Sequence, residues 1–315
     1  MVWKNVQYFV QSLNDAWKAW YHGLMELRVL RYFLTIAQTG NMTRASQILN
    51  LTQPTLSRQI AELEDELGVR LIERGHKGIT LTEDGIFLRQ RAQTLVELAD
   101  RTSLSLRSQR GELSGEVAIA CTESRGASLL FSLMASFRAA HRAVRFTVHS
   151  ANVDAIRQRL DQGLADIGLL TEPAVRKDYE TCQLPVMDSW GAIVPASSPL
   201  AHKEAIGPED LNGQMLILPS RREVWKPTEK WMGQKIADAR VAATFNLGRN
   251  AGAMVAEGVG VALALDLGAL AEGTVFVPFT PLLETGSLIA WKPGQALGQA
   301  AAAFLDHITS ELRKG

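Results

Sequence analysis

Residues 30–85 read LRYFLTIAQTGNMTRASQILNLTQPTLSRQIAELEDELGVRLIERGHKGITLTEDG, and this stretch decides the fold of the N-terminal part of the chain. Its apolar residues recur every three or four positions in three short runs, which predicts three amphipathic helices. Gly40 ends the first run, and the side chain of Asn41 can cap the second helix. Thr52 can cap the third helix, with Pro54 in its first turn, where a missing N–H costs nothing.

A different pattern follows the third helix. Short apolar runs at 69–72 and 79–81 flank a turn at 75–78 that contains two glycines. This arrangement predicts a small β-hairpin. Three short helices followed by a hairpin are the outline of a winged helix-turn-helix, so we assign residues 25–82 to a winged helix-turn-helix DNA-binding domain (α with a small β wing).

The third helix is the element that can read DNA. An α-helix fits the major groove with its N-terminal residues at the base edges, and here that end covers residues 52–59. Gln53 can pair bidentately with adenine, Arg58 can grip guanine or phosphate, and Pro54 can pack against a thymine methyl. Side chains of the hairpin can reach the DNA backbone or minor groove. The candidate DNA contacts are Thr52, Gln53, Pro54, Thr55, Ser57 and Arg58 on the helix, and Arg74 and Lys77 on the hairpin.

Charge placement has to support this binding, because the chain has 33 basic and 33 acidic residues and no net charge. The later half of the third helix carries four carboxylates, which we expect to form a solvated face turned away from DNA. They are Glu62, Glu64, Asp65 and Glu66.

A long helix is predicted over residues 83–111, capped by Thr82, with little to interrupt it after Gly85. Its apolar residues form a heptad-like seam. We expect the seam to pair with a second copy of the chain, and the alternative is that it packs on the chain's own domain. The candidate dimerisation residues are Leu88, Ala92, Leu95, Ala99 and Leu106.

Beyond Gly115, strand-like and helix-like runs alternate to the end of the chain, including a helix near 229–239. The alternation predicts a parallel sheet with crossover helices over residues 115–315. Ligands of such sheets lie beyond the carboxyl ends of the strands. Each polar residue there could equally be an ordinary helix cap, and Glu123 could repel an acid or bind an amine. The candidate ligand contacts are Thr122, Glu123, Ser124, Thr171, Ser220, Arg221 and Asn246.

The composition excludes several classes of protein. With 46% hydrophobic residues and no net charge, the chain is expected to be neither disordered nor a polycation. No apolar run is long enough to span a membrane, and no export signal is recognisable, so we expect a cytoplasmic protein without a membrane partner. Two cysteines and six scattered histidines offer no metal site or catalytic motif, so we expect neither a cofactor nor an enzyme.

Residues 1–24 stand apart from this organisation and contain three of the seven tryptophans. Their apolar residues allow a short amphipathic helix. The segment is either an extension ahead of the first domain or an arm that touches a partner or a membrane.

The N-terminal stretch closely resembles the DNA-binding domain of LysR-type transcriptional regulators. The resemblance is carried by Thr43-Arg44-Ala45, by QPTLSRQI at 53–60, and by Leu71-Ile72-Glu73-Arg74. More loosely, ADIGLL at 165–170 and VAEGVGVALA at 255–264 resemble the effector domain of the same family. The resemblance implies DNA contacts at Gln53, Pro54, Ser57, Arg58 and Lys77.

The same resemblance implies how the rest of the protein is organised. The effector domain would resemble periplasmic binding proteins, with one lobe at about 115–186 and 285–315, the other at about 187–284, and a ligand between them. It also implies a homodimer or homotetramer on an interrupted palindrome near a promoter, with a small-molecule effector and RNA polymerase as further partners. The alternative is a small-molecule-binding protein or enzyme that uses the cleft without specific DNA binding.

Overall fold

The computed structural model describes residues 25–75, 78–107, 112–172, 178–237, 240–268 and 270–313. Residues 1–24, Lys77 and the predicted helix positions 108–111 lie outside the described residues, as does the side chain of Leu106. The chain divides into two compact units, residues 1–101 and 102–315. Among the described residues, no helix is long and apolar enough to cross a membrane.

The N-terminal unit has the expected helices and hairpin. The side chain of Asn41 accepts a hydrogen bond from the Arg44 N–H at 3.0 Å, and Thr52 caps the third helix. The buried helix faces share one apolar core with the hairpin, including Phe33, Leu56 and Leu71. The elements are α1 (Leu27–Thr39), α2 (Met42–Ile48), α3 (Gln53–Leu67) and the antiparallel strands β1 (Ile72–Gly75) and β2 (Gly78–Leu81).

Helix α4 (Glu83–Arg107) follows the hairpin directly. Leu88 and Ala92 of its predicted seam are buried in the core of the N-terminal unit, so these two positions pack on the chain's own domain. Leu95 and Leu98 are 41% and 39% exposed. The Arg31 guanidinium on α1 donates a 2.8 Å hydrogen bond to Asp100, which lowers the pKa of that carboxyl.

The second unit is an α/β structure built on one curved sheet. Its described residues form nine strands in the order β4-β3-β5-β11-β6-β9-β7-β8, with β10 paired to β6. The first elements are β3 (Gly115–Cys121), α5 (Arg125–Ala140), β4 (Val144–Ser150), α6 (Val153–Asp161), β5 (Ile167–Thr171) and β6 (Glu180–Pro195). The later ones are β7 (Leu216–Pro219), α7 (Trp225–Met232), β8 (Val241–Phe245), α8 (Gly248–Ala256), β9 (Val261–Leu265), β10 (Thr274–Pro278), β11 (Glu284–Trp291) and α9 (Gln299–Leu312).

The 16-residue strand β6 joins the two lobes of this unit. Its first part pairs with β11 in one lobe, and its second part pairs with β9 and β10 in the other. The parallel pairing that the sequence predicts holds for β3 with β4 and β5, and for β7 with β8 and β9. Strands β6, β10 and β11 run antiparallel to their partners, so the predicted parallel pairing does not extend to these three strands.

The helix predicted near 229–239 begins earlier, at Trp225, and ends at Met232. It stops there because Gly233 adopts φ 68°, a left-handed conformation that terminates helices and suits glycine. Of the predicted positions, 238 and 239 lie outside the described residues.

Candidate functional site

Helix α3 presents its N-terminal end to solvent while its apolar face anchors it. Leu56 and Ile60 are at most 1% exposed and belong to the core of the N-terminal unit. Gln53, Pro54 and Arg58 are exposed on the other side of the helix. Thr52 is also exposed, but its hydroxyl accepts the Thr55 N–H at 3.4 Å and therefore acts as the helix cap.

Two candidate DNA contacts on different elements touch each other. The Arg74 guanidinium on β1 donates a 2.7 Å hydrogen bond to the Ser57 hydroxyl on α3. Arg58 lies 3.6 Å from Glu62 one turn further along α3, and both side chains are more than half exposed. An ion pair so exposed contributes little to stability, so Arg58 can exchange Glu62 for another anion at small cost.

Glu64 does not belong to the solvated acidic face that the sequence suggested. Its side chain is 6% exposed, and Oε1 accepts the backbone N–H groups of Leu71 and Ile72 at 2.7 and 3.1 Å. Oε2 accepts a 3.0 Å hydrogen bond from Arg70. The carboxylate therefore ties α3 to the start of the wing, and that prediction is corrected for this residue.

A cleft of about 750 Å³, partly open to solvent, lies between the two lobes of the second unit. It lies at the strand ends where the sequence placed a ligand. Six of the seven candidate contacts line it: Thr122, Glu123, Thr171, Ser220, Arg221 and Asn246. Ser124 is not among the lining residues; its hydroxyl is buried and lies 3.3 Å from the Ser287 hydroxyl on β11.

Two polar contacts cross the cleft and hold the lobes together. The Glu123 carboxylate accepts the backbone N–H of Arg249 at 3.3 Å, in the first turn of α8. A carboxylate is favourable there because the N-terminus of a helix carries partial positive charge. Arg221, 18% exposed, donates from Nε to Asp154 at the start of α6, at 2.8 Å.

Sequence reasoning missed other residues of the cleft. Trp190 lines it from the crossing strand β6, and Glu172 lines it directly after β5. Glu172 could have been found, because it occupies a strand end next to Thr171. Nothing in the pattern indicated that Trp190, which belongs to the apolar core of one lobe, would also line the cleft.

The second unit also contains a buried carboxylate that joins three of its elements. Asp188 on β6 is fully buried and accepts hydrogen bonds from the Arg125 N–H at 2.5 Å and the Ser287 hydroxyl at 2.9 Å. Burial raises the pKa of the Asp188 carboxyl, although both hydrogen bonds favour its charged form. This residue fixes the start of α5 against β11 and against β6, the strand that joins the lobes.

Comparison with known proteins gives the family of both parts of the chain. Residues 27–86 match the bacterial regulatory helix-turn-helix protein, lysR family, and residues 110–313 match the LysR substrate binding domain. The hydrogen peroxide-inducible genes activator of Dickeya chrysanthemi is 27% identical over 92% of this chain and 98% of its own length. The transcriptional regulator AlsR of Bacillus subtilis is 31% identical over 64% of this chain and 66% of its own length.

Solved structures share the fold. The crystal structure of CbnR, a LysR family transcriptional regulator, has a TM-score of 0.74 at 21% identity and covers 91% of this chain and 99% of its own. The structure of full-length CbnR complexed with its target DNA has a TM-score of 0.72 at 22% identity, with the same coverage. At these identities the likeness shows the fold.

A helix-turn-helix domain followed by a two-lobed α/β substrate-binding domain defines a bacterial transcription regulator. This chain belongs to the LysR family, as a LysR-type transcriptional regulator with an effector-binding domain. The family consists of transcription regulators, which are not enzymes.

Proposed function

We propose that this chain is a cytoplasmic regulator, not itself an enzyme, that binds double-stranded DNA through the exposed end of α3 and the wing. The observation that carries the proposal is the hydrogen bond between Arg74 and Ser57, which holds wing and helix as one polar surface. The proposed base and phosphate contacts are Thr52, Gln53, Pro54, Thr55, Ser57, Arg58, Arg74 and Lys77. Thr52 is best suited to a phosphate contact, because its hydroxyl already caps the helix and because exposed N–H groups at the start of a helix favour a phosphate.

The proposed domain boundaries are those that the sequence predicts. Residues 25–82 bind DNA, residues 83–111 link and dimerise, and residues 115–315 bind a small-molecule effector in the cleft. A dimer or tetramer would place two α3 helices on an interrupted palindrome near a promoter, because a two-fold protein matches a two-fold site. RNA polymerase is the proposed partner at the promoter.

The effector would act by binding one arrangement of the lobes more tightly than another. Occupancy alone shifts nothing, so different affinities for the two arrangements are required. The contacts of Glu123 with α8 and of Arg221 with Asp154 join the lobes across the cleft, and a ligand that alters either contact would change the lobe arrangement.

The direct test is genomic footprinting with the purified protein, followed by binding to the recovered sites against random duplex at moderate salt. The proposal expects a clear preference for the recovered sites. No preference would reject it in favour of a ligand-binding protein or enzyme that uses the cleft without specific DNA binding.

Replacing Arg58 with Ala is expected to weaken operator binding by about 1–3 kcal/mol if its guanidinium reads a base. The exposed pair with Glu62 makes little contribution to folding, so thermal unfolding should be nearly unchanged. Mobility-shift assays with operator and with random duplex distinguish a base contact from a phosphate contact. An equal loss on both duplexes would indicate a phosphate contact, and unchanged operator affinity would exclude any contact.

Replacing Leu95 with Asp is expected to dissociate the oligomer. Leu95 is 41% exposed on α4, and pairing would bury the new carboxylate without a partner. Light scattering should give a lower molar mass for this variant, while Gln93→Asp, on an exposed part of the same helix, should keep the wild-type mass. An intact oligomer in the Leu95 variant would refute the seam as the interface.

A further inference from the structure

The walls of the cleft are apolar over much of their area. Trp190, Phe245, Leu247 and Leu265 line it together with Leu267. Aromatic and aliphatic walls gain binding energy by removing apolar ligand surface from water. A ligand that fills this cleft therefore needs an apolar body, and its polar group must find a partner among the few polar residues.

The groups that would attract an anion already have partners. Arg221 is the single basic side chain among the described lining residues, and its Nε is bonded to Asp154 at 2.8 Å. At the start of α8, the Arg249 N–H already donates to the carboxylate of Glu123. An anionic ligand that used either of these positive groups would have to displace a carboxylate, and it would then lie close to the carboxylate it displaced.

One carboxylate and one buried hydroxyl of the cleft remain available to a ligand. Among the described residues, the Glu172 carboxylate has no hydrogen-bond or ion-pair partner. Glu172 is exposed and lines the cleft directly after β5, so its carboxylate can be reached by a ligand. The Thr122 hydroxyl is buried, lines the cleft and has no hydrogen-bond partner in the described part of the chain. A buried hydroxyl without a partner carries a cost that a ligand donor would remove.

From these observations we infer that the effector carries a protonated amino group on an apolar body. Its ammonium is held by Glu172 and Glu123, and an N–H donor is accepted by the Thr122 hydroxyl. Trp190 and Phe245 contact its apolar part. This inference rests on the proposed function of the cleft as the effector site and adds the chemical class of the effector.

The test uses the full chain and three probes of similar shape and different charge: phenethylamine, 2-phenylethanol and phenylacetate. Titrations are followed by calorimetry and by tryptophan fluorescence, since Trp190 lies in the cleft wall. Phenethylamine should bind about tenfold more tightly than phenylacetate, as expected for hydrogen bonds to a charged group. The alcohol should lie between them.

Variants assign the preference to the cleft. Glu172→Gln should remove most of the advantage of the amine over the alcohol, and Thr122→Val should weaken amine binding further. Glu204→Gln, an exposed residue outside the cleft lining, should keep the wild-type preference. A Trp190→Phe variant should lose the fluorescence change and still bind the amine by calorimetry.

Tighter binding of phenylacetate, or no binding of any probe, would overturn the inference. So would an amine preference that survives Glu172→Gln. Operator binding is measured on the same preparations and does not depend on the probe. If the wild-type protein did not bind the operator, the proposed function would be rejected. If it bound the operator but preferred the anionic probe, only the amine inference would be rejected.

Discussion

Replacing Glu64 with Ala is expected to destabilise the N-terminal unit by about 3 kcal/mol and to abolish specific DNA binding. The carboxylate is 6% exposed and accepts two buried backbone N–H groups, from Leu71 and Ile72. Each buried donor left without a partner costs about 1–3 kcal/mol. Arg70 is 80% exposed and can return to water, so its loss adds little. The wing would lose its attachment to α3, and with it the position of Arg74.

The matched control is Glu66→Ala, two residues along the same helix. Glu66 is exposed, so its removal should change the free energy of unfolding by no more than about 0.5 kcal/mol. Urea unfolding followed by circular dichroism compares the two variants, and mobility shifts compare their DNA binding. Equal stability of both variants would refute the role of Glu64 as the attachment of the wing.

The case of Glu64 illustrates what the sequence could predict in the N-terminal unit. Apolar periodicity and capping residues predicted the helices and the hairpin, because those signals are local. For Glu64, its position among three other acidic residues predicts a solvated side chain, which the structure contradicts. Its spacing was the missed signal, since it lies four residues after the buried Ile60 and therefore on the same face of the helix.

In the cleft, local sequence patterns predict lining residues but not the partners of those residues. The rule that ligands bind at the carboxyl ends of strands predicted polar residues that line the cleft. The partners of those residues come from elsewhere: Arg249 for Glu123 and Asp154 for Arg221. Which residues face each other across two lobes depends on the path of β6, and no short-range periodicity encodes that path.

Replacing Gly85 with Ala is expected to destabilise the N-terminal unit by about 2–3 kcal/mol, although alanine is the better helix former. Gly85 lies in the first turn of α4, where propensity alone would favour alanine by about 1 kcal/mol. A Cβ at this position would lie 2.0 Å from the carbonyl oxygen of Leu71 and 3.3 Å from the Cβ of Leu81. The obstacle is backbone of the wing, so α4 or the wing must move, and overpacking of this kind outweighs the gain in propensity.

The displacement would also alter how the wing and the linker helix meet, so operator affinity should fall with stability. Gly252→Ala in α8 is the control, because a Cβ there meets Ala271 at an ordinary contact distance of 3.5 Å. That variant should be neutral or more stable by up to about 1 kcal/mol. Calorimetric unfolding of both variants distinguishes the gain in helix propensity from the cost of the close contact with the wing. If Gly85→Ala stabilised the protein as Gly252→Ala does, helix propensity would dominate, and the close contact between α4 and the wing would not constrain the DNA-binding unit.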